Sequence, residues 1–134
     1  MINLRPARFD DFPLIQEMDE FLGDRRLDLQ SGLLTVAEAA DQNITGYARV
    51  DPSCFLGWPC LTSLCVGSVY RRTGVGSALL LNAQQDERYT RLFTTTEQSN
   101  IAMQTLLDKV GAWKIGALND LNLSGETEIA FRLK

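Results

Sequence analysis

Residues 64–77, Leu64-Cys65-Val66-Gly67-Ser68-Val69-Tyr70-Arg71-Arg72-Thr73-Gly74-Val75-Gly76-Ser77, run from an apolar stretch through two arginines into a Gly-x-Gly turn. The apolar stretch reads as the end of a strand, and the residues after Gly74 begin a helical pattern. The turn between them suits an anion. Without side chains, Gly74 and Gly76 let the backbone approach a ligand, and the free N–H groups at the head of a helix point at negative charge. Arg71 and Arg72 add two permanent positive charges where a pyrophosphate would sit. A Walker loop is excluded, because Gly76 is followed by Ser77 and not lysine. A dinucleotide fingerprint fits poorly: Leu79 occupies the third glycine position, and Asp86 and Glu87 come too early for the ribose contact.

Working outward, Leu61 to Val66 is a strand, and Gly76 to Arg88 is a helix apolar on much of its circumference (Val75, Ala78, Leu79, Leu80, Leu81, Ala83), which predicts burial against a sheet. Arg91 to Thr96 is rich in β-branched and aromatic residues and reads as a strand. Asn100 to Gly111 is a helix with Met103, Leu106, Leu107 and Val110 on one face and Gly111 as its stop. Trp113 to Leu118 and the alternating Thr127 to Leu133 close the chain as strands. On the other side, Ile2 to Arg8 is a strand, and Asp10 or Asp11 caps a helix carrying Leu14, Ile15, Met18, Phe21 and Leu22. Gly23 to Arg26 breaks that pattern before a short second helix up to Ser31-Gly32. Leu33 to Ala40 and Ile44 to Val50 form an antiparallel hairpin around Asp41-Gln42-Asn43. Asp51 to Pro59 reads as a loop. This order predicts one α/β domain over residues 1–134, with a mixed sheet of about seven strands.

Composition narrows the chemistry. Histidine is absent, and Cys54, Cys60 and Cys65 match no zinc spacing, so metal catalysis and Ser-His or Cys-His nucleophilic catalysis are not expected. Cys65, inside an apolar strand, is expected in the core. A net charge of −4 argues against generic nucleic-acid binding. No apolar run reaches the length of a membrane span and no signal-peptide core follows Met1, so a cytoplasmic protein is expected.

The run Val66 … Arg71-Arg72-Thr73-Gly74-Val75-Gly76, after a strand and before a helix, resembles the acetyl-CoA-binding motif of the GNAT superfamily of N-acetyltransferases. The element order is that superfamily's order over nearly the whole chain, and Asn100 and Gly111, with Ala112-Trp113 after them, stand where its later helix opens and closes. The resemblance implies a mostly antiparallel mixed sheet flanked by helices, with a V-shaped splay between the fourth and fifth strands. In that splay the backbone of Leu64, Cys65 and Val66 would pair with the pantetheine arm as an added strand does. Arg71, Arg72, Thr73, Gly74, Val75, Gly76 and Ser77 would wrap the pyrophosphate, and Asn100 would reach the pantetheine. An acceptor amine, from a small molecule or a protein, would attack the thioester directly, with the Val66 N–H stabilising the oxyanion.

Two proton transfers remain. Deprotonating an alkylamine of pKa about 10 at pH 7 costs about 4 kcal/mol, which calls for a base. By position the base is Glu97 at the end of the fifth strand, Asp19 or Glu20 in the first helix, or Ser63 or Thr62 acting through water. The thiolate's usual acid in the superfamily is a tyrosine seven residues after the helix-opening asparagine, and here that position is Leu107. Tyr47, Tyr70 and Tyr89 lie elsewhere. A non-catalytic acyl-CoA-binding or sensing module is therefore a second expectation, and a protein-interaction domain a third. The acceptor side is expected to be lined by Phe21 to Gly32, where Arg25 and Arg26 are suited to a carboxylate, by Asp51 to Cys60 and by Asn119 to Gly125. Phe55, Leu56, Trp58 and Trp113 suit a homodimer contact.

Overall fold

The computed structural model describes residues 2–19 and 26–134. Seven strands form one sheet in the order β1-β2-β3-β4-β5-β7-β6: β1 (Asn3–Pro6), β2 (Leu34–Glu38), β3 (Ile44–Phe55), β4 (Trp58–Val66), β5 (Phe93–Glu97), β6 (Trp113–Leu118) and β7 (Glu128–Arg132). Neighbours are antiparallel except β4 and β5, which run parallel. Four α-helices accompany them: α1 (Phe12–Met18), α2 (Arg26–Gln30), α3 (Val75–Gln85) and α4 (Ile101–Lys109). Single 3₁₀ turns at Phe9–Asp11 and Ser68–Tyr70 lead into α1 and the glycine turn.

Strand alternation sorts the core into two layers. Ala37 and Ala48 pack with α3 residues Val75, Leu79 and Leu80 and with Leu107 of α4, whereas their neighbours Val36 and Tyr47 pack with Ile15 of α1 and Leu29 of α2. Adjacent strand residues point to opposite faces, so α3 and α4 cover one face of the sheet and α1 and α2 the other. Gly46 lets α3 sit close: a Cβ there would lie 2.8 Å from the Cys65 carbonyl oxygen and 2.9 Å from Val75 Cγ1.

The main departure from expectation is at 51–59. β3 continues to Phe55 and β4 begins at Trp58, joined by Leu56 and Gly57 at φ 54° and 89°. Two consecutive left-handed residues fit the twist of a two-residue hairpin. Pro52 and Pro59 disguise this as a loop. The register shift between Asp51 and Phe55 accommodates Pro52, since an irregular stretch of ladder tolerates a missing N–H. Phe55 stacks on Phe93 with ring centroids 4.8 Å apart, which fixes the hairpin against β5. The first helix is also shorter than expected, ending at Met18; Glu20, Phe21, Leu22, Gly23, Asp24 and Arg25 lie outside the described residues. Asp11 stands at the N-cap of α1, but its carboxylate serves the turn before it. It accepts from the Arg8 N–H at 2.7 Å and from two Arg5 nitrogens at 2.7 and 2.9 Å.

Candidate active site

The sheet opens where its direction changes. β4 and β5 pair only at Cys60↔Phe93 and Leu61↔Thr94, and the Thr94 hydroxyl donates to the Leu61 carbonyl at 2.8 Å. β4 runs on to Val66 and β5 to Glu97 without pairing each other, leaving a cleft of about 160 Å³. Residues 61–64, residues 94–96, Asn100 and Met103 line it, so hydroxyls from Thr62, Ser63, Thr94, Thr95 and Thr96 make its walls polar.

The backbone beside the cleft is ordered by the ladder to β3. The Gly67 N–H bonds the Thr45 carbonyl at 2.8 Å, and the register pairs Gly46 with Val66, Tyr47 with Cys65 and Ala48 with Leu64. Bonded and non-bonded pairs alternate along an antiparallel ladder. Ser63 and Cys65 therefore turn their N–H and C=O groups toward β3, while Leu64 and Val66 turn theirs toward the side from which β5 has diverged. Arg71 Nε donates to the Val66 carbonyl at 3.4 Å, which ties the first arginine to the end of β4.

Between Val66 and α3 the chain folds into an exposed loop. Thr73 Oγ1 donates to the Tyr70 carbonyl, Arg72 takes φ 64°, and Gly74, the N-cap of α3, takes φ 91°. The first helical bond is Ala78 N–H to Gly74 C=O at 3.0 Å. The N–H groups of Val75, Gly76 and Ser77 thus have no partner within the helix and form its positive end. The two glycines divide the work. A Cβ on Gly74 would meet nothing within 4 Å, whereas one on Gly76 would lie 3.1 Å from Leu106 Cδ1 of α4. Gly74 makes the left-handed turn, and Gly76 is buried and lets α4 approach α3.

Asn100 caps α4, its side-chain oxygen accepting from the Met103 N–H at 3.1 Å. Leu107 is fully buried among the α3 and α4 core residues, so this position serves packing. Glu97 is exposed and does not line the cleft; its neighbour Glu126 holds the Glu97 carboxyl above its ordinary range. Glu126 itself accepts from the Ser99 N–H at 2.5 Å. Cys65 is half-buried, its thiol 3.7 Å from the Met18 carbonyl and pushed up by burial. Cys60 is buried and pushed up to about 12, first by burial and then by Cys54, so neither is poised as a thiolate. Tyr70 sits in the 3₁₀ turn, and Tyr89 is buried under Arg88.

Sequence reasoning names Asp19 and Thr62 as bases by position but does not join them to Tyr47 and Arg49 in the polar cluster they form on the α1 and α2 side. The Tyr47 hydroxyl donates to Asp19. Arg49, buried one alternation further along β3, donates to Asp28 at 2.8 Å, to Thr62 at 2.8 Å and to Asp51 at 3.4 Å. Its signal in the sequence is a tyrosine, an arginine and an aspartate at the alternate positions 47, 49 and 51 of β3.

Residues 2–112 match the acetyltransferase (GNAT) family, and the chain belongs to that family. Its fold is shared with a GNAT-family acetyltransferase of Bacillus cereus ATCC 10987, 26% identical with a TM-score of 0.87 over 100% of this chain and 97% of that one. A ribosomal-protein-alanine N-acetyltransferase of Brucella melitensis (23% identical, TM-score 0.80, 97% and 98% covered) has the same fold. So does yncA of Salmonella typhimurium, whose structure was solved with its cofactor acetyl-CoA (16% identical, TM-score 0.81, 100% and 94% covered). No curated protein matches the sequence. The chain is an N-acetyltransferase of this family.

Proposed function

We propose that acetyl-CoA binds along the parted edge of β4 and donates its acetyl group to an amine entering from the α1 and α2 side. One observation carries this: the outward N–H and C=O groups of Leu64 and Val66 run directly into the Arg71–Gly74 loop, so an extended amide-bearing arm and its pyrophosphate would meet matched groups in order. Arg71 and Arg72 would pair with the phosphates; Thr73 and the N–H groups of Gly74, Val75, Gly76 and Ser77 would surround them. The Cys65 side chain would lie on the acceptor face. Asn100, its oxygen committed to the cap, would offer its amide N–H groups to the pantetheine.

When bound, acetyl-CoA supplies an activated acyl carbon. Attack by the amine nitrogen would place negative charge on the carbonyl oxygen, which the Val66 N–H would meet. The amine's proton would pass to Ser63 in the cleft wall or, through solvent, to Glu97 at the outer end of β5. The same function treats residues 1–134 as one acetyltransferase domain, cytoplasmic and acting without metal, nucleic acid or membrane. Among the described residues no helix is long and apolar enough to cross a membrane. Exposed Leu56, Trp58 and Trp113 would serve a homodimer contact.

The test is thermal melting with acetyl-CoA, then release of CoA thiol over a panel of polyamines, amino acids, aminoglycosides and peptide N-termini. A raised melting temperature and amine-dependent thiol release are expected; neither at millimolar acetyl-CoA would refute the function.

A further inference from the structure

Tyr47 is fully buried on β3, and its hydroxyl donates to the Asp19 carboxylate just after α1. From β4, Ser63 faces the same side of the sheet: the register pairs Tyr47 with Cys65 and Arg49 with Ser63, which sets Ser63 one diagonal step from Tyr47, within reach of a tyrosine ring. Its hydroxyl opposes the larger upward push that burial and Asp19 give the phenol. Ser63 is also part of the cleft wall. Asp19, Tyr47 and Ser63 thus form a row from the α1 side of the sheet to the space between β4 and β5. Among the described residues Cys65 is the other titratable group against Tyr47; Arg49, the nearest cation along β3, is taken up by Asp28, Asp51 and Thr62.

The direction of the row follows from hydroxyl chemistry. A hydroxyl has one proton and two acceptor lone pairs. Tyr47 commits its proton to Asp19, which leaves its oxygen to accept from Ser63. Ser63, donating to Tyr47, presents a lone pair to the cleft. A proton arriving at Ser63 therefore passes outward with each hydroxyl ending as it began.

We infer that Ser63, Tyr47 and Asp19 are a proton relay that takes the proton of the attacking amine out of the cleft, an assignment that rests on the acetyl-transfer function proposed above. As the nitrogen lone pair forms the N–C bond, the carbonyl π pair moves to oxygen and the nitrogen becomes strongly acidic. Its proton goes to Ser63 Oγ, the Ser63 proton to Tyr47 Oη, and the Tyr47 proton to Asp19. The oxyanion pair then re-forms C=O, and the C–S pair leaves as thiolate. Solvent protonates the thiolate and Asp19 returns its proton to solvent, so the sum is amide plus CoA thiol. Ser63 touches the substrate; Tyr47 and Asp19 act through it.

The test measures kcat/KM against pH for wild type, Tyr47→Phe, Ser63→Ala and Glu97→Gln, using the amine of the panel that gives most thiol release. Tyr47→Phe keeps the buried ring; its melting temperature should fall by the few degrees that one lost buried hydrogen bond costs, while its acetyl-CoA response should stay near wild type. Its rate should fall about 10²-fold near neutral pH, with part regained as pH rises and the free amine supplies itself. Ser63→Ala should show the same profile; Glu97→Gln tests the rival acceptor. Unchanged pH profiles in Tyr47→Phe and Ser63→Ala, or a loss in Glu97→Gln alone, would overturn the relay while leaving acetyl transfer intact. A wild type that neither binds acetyl-CoA nor releases thiol would overturn both.

Discussion

The Thr94 hydroxyl donates to the Leu61 carbonyl at 2.8 Å on the last rung before β4 and β5 part. The bond is buried and satisfies a carbonyl at the apex of the cleft, where the ladder stops. Thr94→Val keeps the branched shape and removes that donor, leaving the weaker Cys60 thiol at 3.7 Å on the same oxygen, so urea unfolding should show a loss of about 1–2 kcal/mol. The melting shift given by acetyl-CoA should shrink with it. An unchanged urea midpoint would mean that the apex is held by the strands alone.

Gly46 sets the depth at which α3 lies on the sheet. Gly46→Ala places a methyl 2.8 Å from a backbone oxygen, so denaturation should show a cost of about 1–3 kcal/mol. Val75→Ala in the same chain should rescue little, because the Cys65 carbonyl cannot move aside as a side chain can.

Gly74 and Gly76 should fail differently. Gly76→Ala presses on Leu106, a flexible side chain, and should cost about 1 kcal/mol while the acetyl-CoA melting shift survives. Gly74→Ala has open space but a φ of 91°, which costs an L-residue about 1–2 kcal/mol and re-aims the loop N–H groups. Its acetyl-CoA shift should be lost. Equal ligand responses from the two variants would contradict this division.

Asp11 gives the fold an acid-sensitive tie. Hydrogen bonding from Arg5 is the first cause holding its carboxyl below the ordinary range. A folded-state pKa below the unfolded value of about 3.9 means that the stabilisation is full above that value and is lost as pH falls through the folded pKa. Asp11→Asn, which leaves the half-buried Arg5 to Glu38 and the Pro6 carbonyl, should cost about 3 kcal/mol at pH 7. The gap from wild type should narrow in melts below pH 4. A gap constant down to pH 2 would show that the charge is not what matters.

Much of this fold is legible in the residues because local patterns and tertiary structure agree. The apolar α3 sequence, the Asn100 cap with Gly111, and the alternation at 127–133 each have a period that admits one element type. The 51–59 hairpin escapes because Pro52, Gly57 and Pro59 carry local loop chemistry, which the β3–β4 register shift and the Phe55–Phe93 stack override. The cradle is legible since two arginines and two glycines fall within six consecutive positions, 71–76. What Gly76 does is not, because only the approach of Leu106 from a distant helix shows that it is a packing glycine. The polar cluster of Asp19, Tyr47 and Ser63 is likewise assembled from three elements far apart in the chain, and no spacing announces it.

Calorimetric titration of acetyl-CoA into wild type and Arg71→Glu is the most direct measurement of the central claim. Wild type should bind one equivalent saturably, with a stabilisation of about 2.7 kcal/mol at a hundredfold excess over Kd. Arg71→Glu, which reverses the charge tied to Val66 at the end of β4, should bind at least about tenfold more weakly, a loss of about 1.4 kcal/mol. Equal binding by the two proteins, or no heat from wild type at millimolar acetyl-CoA, would contradict the account.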